Sequence, residues 1–355
     1  MSDYLSLLMF PALLIALFLG FPVAFSMMGV AFFFGLMVFG DAVIFQFVQK
    51  VNDVASNFVL AAVPLFVFMG AMLERSGIAE QLFEAVHLWT RRLPGGLALG
   101  TIIMCVIFAA STGVIGATET VVGLLAIPVM MKYGYDKGLI SGTICAGGSL
   151  GTIIPPSVVV VVMGPVADVS VGDLFVGMVF PGLLMAALYL VYILVRCTID
   201  PKVAPRLPRQ ADEPRFAQKV RITVVALVPP LAMIFAVLGS IVLGWAAPTE
   251  AAGIGALGAV LLTLIYRSFT LGVLREALIR TLKVTCMIMV ILLGGSMFAG
   301  VFVAAGGVAL ANEMVQSTQL SAWVMVLLFL AVAFIAGFFL DWISVLLIFI
   351  PVFIP

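Results

Sequence analysis

The chain has 355 residues, 64% hydrophobic and only 10% charged, with a mean hydropathy of +1.30. Soluble domains carry about 25% charged residues, so this composition excludes a soluble globular protein and indicates a polytopic one embedded in the lipid bilayer. The 17 basic and 17 acidic residues cancel, which leaves no charge excess of the kind that marks a nucleic-acid partner.

The opening MSDYLSLLMF places no Lys or Arg ahead of the first apolar run, so a cleaved signal peptide is not expected. Apolar windows near the ~20 residues that span a bilayer run over 5–19, 23–39, 54–73, 97–131, 139–163, 174–195, 222–243, 251–266, 284–305 and 322–355. The windows 97–131 and 322–355 are too long for one span; each is either a re-entrant helical hairpin or two short spans. Between windows, Ile78, Leu82, Ala85, Val86 and Trp89 recur at helical spacing. They predict an amphipathic interfacial helix with His87 in solvent. Cys105, Cys145, Cys197 and Cys286 lie scattered with no CxxC spacing, which predicts small core hydrophobes and no transition-metal site.

The stretch 200–221, rich in Pro and charge, reads as a linker between two halves, 1–199 and 222–355. With that linker in the cytoplasm and both long windows re-entrant, every Lys and Arg except Lys50 falls on the same side, and the N-terminus is periplasmic. The halves echo each other. PVAFSMMGVAFFFGL from Pro22 resembles PTEAAGIGALGAVLL from Pro248, Gly77-Ile78-Ala79 resembles Gly307-Val308-Ala309, and the run ending at Pro128 resembles the one ending at Pro351, at offsets of 223 to 230 residues. The helices after Pro22 and Pro248 run in opposite senses. The expected fold is therefore all-α with inverted-topology repeats: a first repeat over 1–199 holding hairpin 1 and its following scaffold helix, and a second over 222–355.

The sharpest local signal is GGSLGTIIPPS, 147–157, where three glycines and two adjacent prolines interrupt a run that hydrocarbon would hold as one helix. Irregular backbone survives at membrane depth only where protein buries it or it lines a wet cavity. Pro155 and Pro156 remove two amide donors, Gly151 allows close approach, and Ser149, Thr152 and Ser157 offer hydroxyl oxygens that suit a monovalent cation. A proline kink with small packing residues is the other reading. The partner segment is FAASTGVIGATETVVGLLAIP, 108–128, whose Ser111, Thr112, Gly113 and Thr118 are expected near the hairpin tip. Glu119 is an intramembrane carboxylate, which usually faces a polar interior; Asp341, in GFFLDW, aligns with Thr118 at the 223 offset. Each completes a cation site, carries a proton, or pairs with a hydroxyl. Thr249 and Gly337 join them as candidate ion- or substrate-binding residues. Glu250 and Asp173 are expected to serve helix starts. No P-loop, HExxH or GxSxG occurs, so neither an enzyme nor an ATP-hydrolysing chain is expected.

FAASTG, AIPVMMKYGYDKGLISGTICAGGSLGTIIPPS, APTEAAG and GFFLDW together resemble the large membrane subunit (DctM-like, or M subunit) of tripartite ATP-independent periplasmic (TRAP) transporters, across essentially the whole chain. The resemblance implies a sodium-coupled elevator importer in the bacterial inner membrane, with Na+ as coupling ion and no other cofactor. A periplasmic substrate-binding protein would deliver an organic acid, usually a carboxylate, and a small membrane subunit would be a separate chain. It carries ion and substrate contacts to Ser111, Thr112, Gly113, Gly151, Pro155 and Pro156. The hairpin departs from the pattern: it reads STGVIGATE where relatives often have two adjacent serines after the glycine. Two alternatives stand beside this reading: a sodium/dicarboxylate symporter that needs no binding protein, and a structural membrane subunit that carries nothing. Because the 223 offset carries Pro155 beyond the end of the chain, a counterpart of GTIIPPS is missing. The chain is therefore expected to be a fragment cut within hairpin 2.

Overall fold

A computed structural model describes residues 5–113, 115–205, 215–310, 313, 321–340 and 342–353. Among them every regular element is a helix and none is a strand. In chain order these are α1 (Leu5–Phe18), α2 (Val23–Phe39), α3 (Ala42–Ala55), a 3-10 turn (Phe58–Ala61), α4 (Ala62–Glu74), α5 (Ile78–Thr90), α6 (Gly96–Thr112), α7 (Ile115–Lys132), α8 (Lys137–Ile153), α9 (Val158–Ala167) and α10 (Val171–Ile199). They continue with α11 (Phe216–Val242), α12 (Pro248–Ile265), α13 (Leu271–Ala304), α14 (Ala322–Ala336) and α15 (Trp342–Phe353). Helices α10 to α13 are each long and apolar enough to cross a bilayer.

The chain falls into two compact units: residues 1–58, 165–168 and 284–355 in one, 59–164 and 169–283 in the other. In the first, Met9 and Leu13 of α1, Met27, Ala31 and Phe34 of α2, and Phe298, Val301 and Phe302 of α13 form a buried cluster. Phe10 meets Phe298 and Phe302 edge-on, with centroids 5.7 and 5.4 Å apart. Apolar attraction does not drive helices together in lipid, so close packing must. Gly294 of α13 shows how: a Cβ there would stand 2.7 Å from the Ala24 carbonyl oxygen.

The second unit holds α4 to α8, most of α9, α10 to α12 and the start of α13. Its helices also meet through small residues: a Cβ on Gly255 of α12 would stand 2.5 Å from the Met69 sulfur of α4, and one on Gly147 of α8 would stand 2.5 Å from Cys105 Sγ of α6. Polar ties cluster at one end. Arg280 pairs with Glu74, Arg75 with Glu276 at 3.0 Å, and Ser268 Oγ donates to the Ser76 carbonyl at 3.0 Å.

Three expectations change. Window 54–73 missed α3, an amphipathic helix ahead of the apolar segment, because a hydropathy average does not register a helix whose polar and apolar residues alternate by face. For the same reason α13 starts thirteen residues before its window, through Arg275, Glu276, Arg280 and Lys283. Cys105 and Cys197 are buried as expected, but Cys145 and Cys286 are exposed. The amphipathic helix over Ile78–Thr90 forms as α5. His87, however, is half-buried and stacks on Phe83, the rings 5.6 Å apart and inclined by only 5°.

Candidate functional site

Window 97–131 folds as α6 and α7, which pack against each other as a hairpin. Gly113 closes α6 in the left-handed conformation, φ 64°, its amide donating to the Ala109 carbonyl. Just before it, Ser111 Oγ donates to Ile107 O at 2.8 Å and Thr112 Oγ1 to Phe108 O at 3.0 Å. Each hydroxyl donates within its own helix, which leaves its oxygen lone pairs able to accept. Thr112 Oγ1 lies 3.3 Å from Thr118 Oγ1 of α7, both fully buried, and ties the two arms.

The second element is the interrupted helix. Helices α8 and α9 meet at 45° across Ile154–Ser157, where the bond between Pro155 and Pro156 is cis. Pro155 and Pro156 have no amide hydrogen for the carbonyls of Gly151 and Thr152 four residues earlier. Ser157 repairs one of these: its Oγ donates to Thr152 O at 2.8 Å. It also starts α9, its Oγ accepting from Val159 N at 3.2 Å and its carbonyl from Val161 N at 3.4 Å, which is N-cap behaviour. Ser149 Oγ and Thr152 Oγ1 donate back to Ala146 O and Ser149 O, both at 2.8 Å.

These two elements touch. The Val158 amide donates to the Gly113 carbonyl across 3.4 Å. A Cβ on Gly113 would stand 2.5 Å from the Pro156 carbonyl oxygen. Helix α4 closes a further side, since a Cβ on Gly70 would be 2.8 Å from Thr112 O. The C-terminal ends of α6 and α8 and the N-terminal ends of α7 and α9 thus meet around Gly113 and Pro156. Helix C-termini carry partial negative charge and N-termini partial positive charge, each about half an elementary charge. One place therefore presents carbonyl oxygens, suited to a cation, beside amide hydrogens, suited to an anion.

Glu119, one turn into α7, is half-buried and has no ion-pair partner among the described residues. Its side chain lies on Gly148 of α8, where any Cβ would collide with it. The structure thus gathers Ser111, Thr112, Gly113, Thr118, Pro155 and Pro156, with Gly151, Ser149, Thr152 and Glu119 on the adjoining turns. Thr249 lies on α12, which packs on α4; its Oγ1 is buried without a hydrogen-bond partner among the described residues. Glu250 accepts from the Ala247 amide at 2.9 Å and serves a helix start as expected, whereas the start of α10 is capped by Ser170, which accepts from the Asp173 amide at 3.5 Å. Gly337 is exposed at the end of α14, in the other unit, and Asp341 lies outside the described residues. Among the described residues no group of His, Cys, Asp and Glu can hold a metal ion. Sequence reasoning missed Gly70, whose only signal was a lone glycine in FVFMGAML, and the capping role of Ser157, which its place one residue before a new helix already offered.

Residues 10–355 match the family described as the tripartite ATP-independent periplasmic transporter, DctM component. The C4-dicarboxylate TRAP transporter large permease protein DctM of Pseudomonas aeruginosa is 31% identical over 86% of this chain and 70% of its own. The ectoine/5-hydroxyectoine large permease UehC of Ruegeria pomeroyi is 28% identical over 98% of this chain and 80% of its own. The sialic acid large permease SiaM of Vibrio cholerae is 27% identical over 96% and 78%. Among solved structures, the YdaH transporter of Alcanivorax borkumensis superposes with a TM-score of 0.59 over 88% of this chain and 72% of that one, at 17% identity, a likeness of fold alone.

Proposed function

The chain belongs to the DctM component of the tripartite ATP-independent periplasmic transporters and is thus a multi-pass large permease; from that premise we propose that it imports an organic acid, driven by sodium. A periplasmic binding protein delivers the acid, and a small membrane subunit, a separate chain, completes the complex in the bacterial inner membrane. The linker faces the cytoplasm and the N-terminus the periplasm. Relatives named for C4-dicarboxylates, ectoines and sialic acid span an organic-acid range that supports this substrate class.

The observation that carries the reading is the meeting of helix ends at Gly113 and Pro156. Sodium is bound by neutral oxygens there, from the last carbonyls of α6 and α8 and the hydroxyls of Ser111, Thr112 and Thr152, while the amide ends of α7 and α9 receive the carboxylate. The irregular backbone of 154–157 is tolerated at membrane depth because it lines this place. Glu119 adds a charge at its margin and helps hold the cation.

The test is uptake into proteoliposomes holding the permease, its small subunit and the cognate binding protein. Uptake that needs an inward sodium gradient and the binding protein is the expected result. Uptake indifferent to sodium rejects the coupling; uptake without the binding protein supports a simple symporter instead.

A further inference from the structure

We propose a binding site for an anionic phospholipid in the cleft between α8 and α10, on the Lys- and Arg-rich side of the second unit. The cleft holds about 640 Å³. Its cause lies in how α10 is anchored. At one end a Cβ on Gly182 would stand 3.1 Å from Ile154 Cγ1, so α10 lies close on the end of α8. At the other, a Cβ on Gly95 would stand 2.6 Å from Cys197 Sγ, so α10 leans on the start of α6 instead. Between these anchors α8 lines the cleft with Gly138, Gly142 and Ala146, at successive four-residue steps, beside Leu139 and Thr143, and α10 lines it with Leu188, Tyr192 and Arg196. Small residues at that spacing normally let helices close up. Here they leave a wedge, shut at the deep end where Ser149 Oγ comes within 3.5 Å of Tyr189 Oη.

The lining specifies the occupant. The mouth is basic: Arg196 lines it, Lys137 and Lys202 flank it, and none of the three forms an ion pair among the described residues. Of the two acidic residues at the mouth, Asp136 is occupied as the cap of α8, its Oδ1 accepting from Leu139 N at 3.0 Å, and Asp200 Oδ1 accepts from the Lys202 amide at 3.2 Å, so the bases exceed the acids by one charge. Deeper in, Thr143 is 3% exposed and its Oγ1 has no hydrogen-bond partner among the described residues. That hydroxyl lies under the cleft wall, out of reach of a ligand as the side chain stands, so the lipid is held through its phosphate by Arg196 at the mouth. The walls above are apolar, and Leu188 and Tyr192 are exposed on the face that α10 turns to lipid. From Arg196 to Leu188 the cleft runs about 12 Å along α10, an apolar slot beneath a basic mouth that matches an acyl chain below an anionic headgroup. Basic pockets between spanning helices are known receivers of anionic headgroups.

Native mass spectrometry of the delipidated, purified permease, titrated with phosphatidylglycerol or phosphatidylcholine, tests this. The parent should retain phosphatidylglycerol more tightly; Arg196→Gln should lower that affinity roughly five-fold, the worth of one basic residue near a lipid surface, and leave phosphatidylcholine unchanged. Gly142→Leu, which fills the cleft, should remove the retained lipid, with a circular-dichroism melt confirming the fold. Because Arg196 is exposed, Arg196→Gln reports even if Gly142→Leu fails to fold. Equal retention of both lipids by the parent, or unchanged phosphatidylglycerol binding in Arg196→Gln, overturns the proposal. So does complete disulfide crosslinking of Gly142→Cys to a helix of the small subunit.

Discussion

The amide of Val158 donates to the carbonyl of Gly113, joining the first turn of one helix to the residue that caps another, 45 positions earlier. In an unbroken helix that amide would bond to Ile154 four residues back. The bond therefore records both features of the site at once: the interruption at Pro155 and Pro156, and the hairpin tip that fills the gap.

Gly113→Ala should abolish uptake. The left-handed φ costs about 1–2 kcal/mol for a residue with a Cβ, and the new methyl must displace the Pro156 carbonyl. Gly134 is the control: its φ is 72° and nothing lies within 4 Å of its Cβ position. Gly134→Ala should lower thermal stability by the backbone cost alone and keep uptake. Similar uptake in the two variants would refute the packing argument.

Replacing both Pro155 and Pro156 by Ala returns two amides to the carbonyls of Gly151 and Thr152. The double variant should insert normally, melt at the same temperature or higher, and lose sodium-dependent uptake. Wild-type uptake would reduce the break to a packing kink.

Gly148→Ala forces the Glu119 side chain off α8 and should destabilise by about 1–3 kcal/mol, the usual range for overpacking. Combined with Glu119→Ala, the same change should cost much less, and a double-mutant cycle of melting energies should return a coupling of at least about 0.5 kcal/mol. Strict additivity would mean that the two residues do not meet.

The two ion pairs should differ. Glu74 is 8% exposed against Arg280, whereas Arg75 and Glu276 are both more than half exposed. Glu74→Gln should cost about 2–3 kcal/mol, below the 3–5 of a fully buried pair because Arg280 keeps some solvent, and Glu276→Gln at most about 1. Chemical or thermal unfolding of the two variants distinguishes them.

Burial, reinforced by the Arg91 charge, pulls the His87 pKa down to about 4 from its ordinary 6.5. The folded state thus holds His87 neutral where the unfolded chain is already protonated. Its contribution to stability is complete above pH 6.5 and is lost as pH falls from there toward 4. His87→Gln should flatten that part of the stability profile, and the His87 ring resonances should not titrate between pH 5.5 and 7.5.

Much was legible in the sequence because its signals are local. Composition alone required a membrane protein, since so few charges cannot solvate a surface of this size. The prolines at 155 and 156 had to interrupt a helix wherever that helix lay, because they have no amide hydrogen to give. A run as long as 97–131 had to be more than one span, and Ser111, Thr112 and Gly113 were the expected tip if it formed a hairpin. Glu250 was readable as a helix-start residue because its partner lies three residues away. The tertiary structure alone decided that Gly113 faces Val158, that Gly70 backs the hairpin tip, that Gly148 seats Glu119, and that α8 and α10 part to leave a cleft. Those facts depend on how helices far apart in sequence dock. Docking in a bilayer follows the shape match of small and large residues on facing helices, a property of pairs of surfaces that no single stretch of chain contains.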